Sequence, residues 1–266
     1  MSGSDVADLQ LRLQQLGIFK GKIDGIYGAS TVSAVKLFQR RSGLRENGIV
    51  DNGMWARLAA GVLATSGPPS PKPEGKIRLV VNLDRLTLVV YADDRPYKTY
   101  PIAIGRWDTP TQIGEFVIID KGVNPGGPFG SRWIGLNVPW GAYGIHGTDR
   151  PWTIGYSASA GCIRMFNQDV EELFEWVDIG TRVIIQGSEG EYQLVTEVER
   201  PLKEGDTGKD VRFVQWRLRE AGFDPGPLDG WFGDAMKQAV MNLQKFYGLP
   251  ITGIIGKDEL YVLSII

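Results

Sequence analysis

Thiols and imidazoles are almost missing from this chain of 266 residues, which has one cysteine and one histidine. A lone cysteine excludes an internal disulfide, so Cys162 is either a small buried hydrophobe or a reactive thiol. One imidazole and one thiol fall short of the ligand set of a zinc peptidase, and no metal or other cofactor is expected. Serine catalysis of the hydrolase-elbow kind is poorly served, because no G-x-S-x-G occurs. An excess of one charge is lacking too: 29 basic residues face 31 acidic ones with no Lys/Arg run, which argues against a nucleic-acid partner. No stretch approaches the ~20 apolar residues of a membrane span. The opening MSGSDVADLQ has neither the charged nor the apolar region of a signal peptide. That fits a cytosolic or mother-cell protein, or one whose export leader is not part of this sequence. What is present, 42% hydrophobic residues, suffices for one sizeable core or two to three smaller ones.

The two ends repeat each other without a gap at an offset of 205 positions. Asp5-Val6 falls on Asp210-Val211, Gln10 on Gln215, Leu13 on Leu218, Gly17 on Gly222, and IDGIYG at 23–28 on LDGWFG at 228–233. Gln39 and Gly43-Leu44 likewise match Gln244 and Gly248-Leu249. Val6, Leu9, Leu13 and Leu16 recur at helical spacing with Gly17 as a C-cap, and Val32, Val35 and Phe38 stripe a second helix. The Asp-Gly pairs mark tight turns, and a third helix is expected near 51–62 and 256–264. Each copy is thus a three-helix bundle near the lower size limit for an independent core, a size that suits binding rather than catalysis. The boundaries expected are 1–63 and 207–266. A Pro/Gly/Ser linker, ATSGPPSPKPEG, fills 64–75, and a connector fills 189–206.

Between them, 76–188 changes period. KIRLVVNLDRLTLVVYADDRPYKTYPIAIG alternates apolar and polar residues with a turn at Asp93-Asp94, and GEFVIID and TRVIIQ follow the same pattern. Short strands with Gly-rich turns and one helix predict a mainly-β domain, sandwich or barrel-like. The helix is marked by Asp169 and Glu172 as a capping box, with Asn167 also assigned to capping. The Gly/Pro/Trp-rich stretch at 124–148 does not read as strand throughout and has the composition of surface loop, with Phe129, Trp133, Trp140 and Tyr143 either lining a cleft or packing a core. The single histidine, His146, stands sixteen residues before Cys162. Within hydrogen-bond reach an imidazole would let the thiol act as a nucleophile, and a turn at Gly161 would aim main-chain N–H groups at an oxyanion. On the residues alone this pairing competes with an inert buried thiol and a structural histidine.

The repeat pattern DV..LQ..L..LG....(I/L)DG..G...AV..FQ..GL...GI, spanning nearly all of 4–62 and 207–264, resembles the peptidoglycan-binding module of cell-wall enzymes. The second copy departs from the first at Leu243, where the first has Phe38, and has no tryptophan matching Trp55. IHGTDRPWTIGYSASAGCIRMFNQDVEEL, with TPTQIGEFVI, GGPFGSRWIGL and GTRVII, resembles the L,D-transpeptidases of the YkuD type over roughly 76–187. Many members carry histidine before the Gly-Cys pair, where this chain has Ala160.

The resemblance implies a multidomain enzyme, a mainly-β catalytic domain between two binding modules, that works on peptidoglycan stem peptides and glycan in the cell wall or spore envelope. It implies Cys162 as nucleophile, His146 as base and the Gly147 carbonyl as the group that orients the imidazole. Ser159 and Gly161 would shape the turn, with the Gly161 and Cys162 amides as oxyanion donors. Arg164 would hold the turn or meet a substrate carboxylate, and Thr148 and Trp133 would be cleft walls. Transfer to an amine makes a 3→3 cross-linking transpeptidase, transfer to water an L,D-carboxypeptidase, and an inert Cys162 leaves a wall-binding or spore-structural protein. Oligomeric state is not legible.

Overall fold

The fold is that of a computed structural model, which describes residues 1–62, 67–106, 108–187, 198–263 and 265. The linker and connector expected at 64–75 and 189–206 fall partly outside these residues.

The apolar stripes of the repeats become two separate cores. In the first copy α1 (Ser4–Gln15), α2 (Ala29–Arg41) and α3 (Asn52–Ala59) bury Leu9, Leu13, Val35, Phe38, Met54 and Leu58. Gly17 follows α1 at φ +69, a backbone conformation that side chains resist, and Asp51 caps α3 by accepting from the Met54 N–H at 2.8 Å. The matching glutamines explain why the Asp-Gly loops recur. Buried Gln10 accepts from the Asp24 and Gly25 N–H groups at 3.1 and 2.9 Å and donates to Asp24 Oδ1 and the Ile26 carbonyl. Gln215 does the same for Gly230, Asp229 and Trp231. Gln10→Ala leaves buried donors unpaired, at a cost of about 1–3 kcal/mol. The expected result is a lower melting transition for the first module, read by calorimetry.

The second copy, α5 (Lys209–Glu220), α6 (Asp234–Tyr247) and α7 (Lys257–Val262), closes over Val211, Leu218, Phe232 and Leu243. Its core also takes in Val198 and Leu202, inside the stretch expected to be connector, and Leu202 pairs with Ile255 by two main-chain hydrogen bonds. Pro201 and the charged residues around Leu202 hide that contact in the sequence.

The middle segment forms one eight-stranded sheet in the order β3-β2-β1-β10-β5-β6-β7-β9, with a small pair β4-β8. The strands are β1 (Ile77–Asn82), β2 (Thr87–Ala92), β3 (Arg95–Pro101), β4 (Ile104–Gly105), β5 (Gly114–Val123), β6 (Arg132–Leu136), β7 (Tyr143–His146), β8 (Ser157–Ser159), β9 (Ile163–Arg164) and β10 (Arg182–Gln186). Asp93 and Asp94 at φ +45 and +64 make the β2–β3 turn. Alternate residues such as Leu79, Val81, Leu88, Val90, Val183 and Ile185 fill one core. α4 (Asn167–Trp176) adds Val170, Leu173 and Trp176 to it. The mainly-β expectation holds in its barrel-like form: a single large curled sheet encloses the core. No described helix is long and apolar enough to cross a membrane.

The helix start differs from expectation. The N-cap position of α4 is Phe166, which has no side-chain cap bond. Glu172 instead takes Lys98 Nζ at 2.6 Å, the Tyr100 hydroxyl at 2.6 Å and the Ser70 N–H, which ties linker, β3 and α4 together. The charge of Lys98 explains the choice, since a charge-assisted bond outcompetes a neutral main-chain one.

Both modules pack on the middle domain through their first helices, with opposite charge. From α1, Asp5 and Asp8 meet Arg150 at 2.8 and 2.9 Å, while Trp152 enters the first module's core and stacks on Trp55 at 5.9 Å. From α5, Arg219 meets Glu115 at 2.7 Å and Arg212 donates to the Ile113 carbonyl. A Cβ on Gly230 would lie 2.1 Å from the Trp140 ring, so the Asp-Gly loop of the second module needs its glycine for this contact as well as for its φ of +74.

Candidate active site

β7 is flanked by β6 and β9, and that placement gathers the site. His146 pairs antiparallel with Trp133 and parallel with Arg164. Cys162 sits one residue before β9, two before Arg164. Alternation therefore sets it on the face that carries His146. Gly144, on the same face of β7, gives a main-chain hydrogen bond to the thiol, and Sγ lies 4.0 Å from the Ala142 carbonyl.

The turn that presents Cys162 is stapled by Ser159, whose hydroxyl accepts from the Gly161 N–H at 3.0 Å and donates to the Cys162 carbonyl at 2.5 Å. Gly161 has φ +114, and a Cβ there would lie 2.8 Å from the Tyr143 ring, so glycine is required on both counts. One expectation changes: the Gly161 N–H is committed to Ser159 rather than free for an oxyanion. The Ser159 hydroxyl holds the turn by bonding both Gly161 and Cys162.

His146 is 3% exposed and is held on three sides. Trp133 stacks on it at 5.9 Å and 22°, Phe129 meets it edge-on at 5.0 Å, and Nδ1 lies 2.6 Å from the Gly147 carbonyl. A carbonyl only accepts, so the proton resides on Nδ1 and the lone pair on Nε2. Burial, with a smaller contribution from the Arg164 charge, pushes the imidazole down to about 4 against the opposing pull of the Gly147 bond. Burial raises the Cys162 thiol, although the Gly144 bond and Arg164 work the other way. Both groups are thus neutral at pH 7, a potential proton donor and a potential acceptor on one face of the sheet.

Asn167 does more than capping would require. Its Oδ1 accepts from the Ser131 N–H at 3.1 Å and the Thr148 N–H at 3.0 Å, drawing the loop before β6 against the loop after His146. A Cβ on Gly130 or Gly147 would sit about 2 Å from that oxygen, at 2.2 and 2.1 Å. Asn167 therefore fixes the carbonyl that fixes the imidazole. The sequence signal was the pair of glycines flanking two loops, which has meaning only once their common partner is known. Thr148, expected as a cleft wall, is 3% exposed and accepts from the Arg150 N–H at 3.0 Å. Its place after the β7 edge turns it inward. Trp133 does stand at the site, against the imidazole, with Nε1 donating to Asp120 at 3.2 Å. Arg164 is 5% exposed, and its guanidinium donates to Asp8 at 2.9 Å, so its head group is engaged by the first module. A cleft of about 1310 Å³ elsewhere, bordered by Lys76, Arg78, Glu115 and Arg182, includes neither Cys162 nor His146.

Known proteins match this chain in three parts. The L,D-transpeptidase catalytic domain, YkuD, matches residues 76–185, and a peptidoglycan binding domain matches 2–58 and again 207–263. A Bacillus licheniformis protein named for L,D-transpeptidase YkuD is 53% identical over 108 residues, 41% of this chain and 64% of its own. A Bacillus subtilis protein named for L,D-transpeptidase YqjB is 36% identical over 148 residues, 50% of this chain and 84% of its own. The spore cortex-lytic enzyme of Bacillus subtilis is 53% identical over 45 residues, 17% of this chain and 15% of its own. The chain spans just under two thirds of the length of the YkuD relatives it matches, at 64%. With the catalytic-domain match laid over the Cys162–His146 face and a binding-domain match at each end, the chain belongs to the L,D-transpeptidase family of the YkuD type.

Proposed function

We propose that the protein is a peptidoglycan L,D-transpeptidase in which Cys162 is the nucleophile and His146 the base. One observation carries the reading: an imidazole whose Nδ1 proton is tied to the Gly147 carbonyl shares a strand face with the thiol, which leaves Nε2 as acceptor. The thiol attacks the carbonyl carbon of the bond before the terminal D-alanine of a tetrapeptide stem, and its proton passes to Nε2. The C–N bond then breaks, the leaving amine takes the proton from Nε2, and D-alanine departs, leaving a thioester on Sγ. An amine of a neighbouring stem attacks the thioester and gives its proton to Nε2. The thiolate leaves, takes that proton back, and a 3→3 cross-link results. The Cys162 N–H is assigned to the oxyanion. In this reading 1–63 and 207–266 are the wall-binding modules, the second with Val198 and Leu202 of the preceding connector packed into its core. They raise the local concentration of stems around a cleft that needs no extra contact. The place of work is the cell wall or spore envelope, in keeping with the cortex-lytic relative.

Mass spectrometry of disaccharide-tetrapeptides incubated with the protein tests this. Cross-linked dimers that have lost D-alanine are the expected product. Tripeptide alone would make the protein a carboxypeptidase, and unchanged substrate with every stem chemistry tried would leave a wall-binding protein.

The depressed imidazole sets a pH prediction. A base works only when unprotonated, and His146 stays so down to about pH 4. The acid limb of kcat/KM is therefore expected near 4 rather than near the ordinary 6.5, with activity retained at pH 5.5. A limb at 6–7 would show that the buried environment does not act on the free enzyme.

A further inference from the structure

Asp8 belongs to the first binding module, yet its carboxylate is 1% exposed and lies against the catalytic motif. One oxygen, Oδ2, accepts from Arg150 and from Arg164, both at 2.9 Å. Arg164 lies two residues after Cys162 and its charge acts on both the thiol and the imidazole. Two buried guanidiniums around one buried carboxylate cost desolvation that a module serving only as a tether would not need to spend. Nor does the module fold call for an acid here: the matching position of the second copy is Phe213. The surrounding contacts fix the arrangement. The Trp152 indole N–H donates to the Asp8 carbonyl at 3.0 Å, and Trp55 stacks on Trp152 with Arg150 over its ring at 4.6 Å.

From this we infer that the first binding module is part of the catalytic unit, with Asp8 as a positioning residue that holds Arg164 against the Cys162 turn and balances its charge. The inference rests on the transpeptidase reading, deepens it, and turns a wall anchor into a component whose docking governs the site. Arg164 is then unavailable to a substrate carboxylate while the module is docked.

The test uses the full chain in three variants. Asp8→Asn keeps shape and an acceptor but removes the charge. Trp55→Leu gives the first module the residue that the second carries at 260, and so loosens docking without touching Arg164. Asp5→Asn alters the exposed partner of Arg150 and serves as the control. Turnover of disaccharide-tetrapeptide, co-sedimentation with purified walls and the pH dependence of Cys162 alkylation by iodoacetamide are measured on each. For Asp8→Asn and Trp55→Leu, kcat is expected to fall about 10-fold with KM and wall binding within about 2-fold, as for a lost positioning contact. In Asp8→Asn the uncompensated Arg164 favours the thiolate, so the alkylation midpoint is expected to move down by about 0.5 pH unit or more. Asp5→Asn is expected to stay within about 2-fold in every readout. Unchanged kcat and an unmoved alkylation profile in both variants would overturn the inference. So would a loss of turnover that merely follows loss of wall binding with the profile unmoved. A wild-type chain without turnover would count against the function proposed above, and the alkylation profiles would still decide on Asp8.

Discussion

Cys162→Ala is expected to abolish release of D-alanine, a loss of at least ~10^4-fold, because the nucleophile of a covalent mechanism has no substitute and partners in such a site act as a unit. The structure offers no replacement: the chain has no second thiol. Ser159, the nearest hydroxyl in sequence, is 1% exposed and spends its proton on the Cys162 carbonyl. The change is also expected to leave the fold intact. The position is only partly buried, and the turn depends on Gly161 and Ser159 rather than on the thiol. Thermal unfolding within about 1 °C of the parent, as for surface changes of under about 0.5 kcal/mol, together with unaltered wall binding, would assign the loss to chemistry. Activity retained above about a hundredth of the parent would instead point to a nucleophile elsewhere.

His146→Gln is the second large effect, about 10^2- to 10^4-fold in kcat, the range that a positioned general base supplies. Glutamine reaches the same neighbours and keeps a polar group for the Gly147 carbonyl, so the buried pocket between Phe129 and Trp133 remains occupied. It cannot shuttle a proton. Because the thiol is raised by burial, the variant has no ready supply of thiolate at neutral pH. Part of its lost acylation rate is therefore expected to return as pH rises towards and beyond 9, whereas the parent gains little. A pH-independent deficit would make His146 a packing residue. Slow alkylation at pH 7 does not favour an inert cysteine here, since burial keeps both the thiol and the imidazole neutral at rest.

Much of the fold was readable because it rests on local rules. The duplication, the helical stripes around Leu9 and Leu13, the Asp93-Asp94 turn and the alternating strands all follow from spacing. The proposed pairing of Cys162 with His146 draws on their scarcity and on the surrounding motif. What escaped were contacts between distant segments. Asp8 reads as a solvated helix residue until Arg150 and Arg164 are laid beside it. Asn167 and Glu172 read as cap residues because both stand at a helix start, yet each has a stronger partner: the Ser131 and Thr148 amides for one, the Lys98 ammonium for the other. Thr148, expected as a cleft wall, is buried in the bend that follows β7. Residue types state which bonds can form, and tertiary structure decides which of them win.

The proposed mechanism turns on a covalent intermediate on one sulfur. Intact-protein mass spectrometry after rapid acid quench of the chain with a tetrapeptide donor, followed by peptide mapping, addresses it directly. A mass gain equal to the donor minus D-alanine is expected, located on the peptide that contains Cys162 and removed by an amine acceptor. Turnover with no adduct at any quench time, or an adduct on another residue, would contradict it.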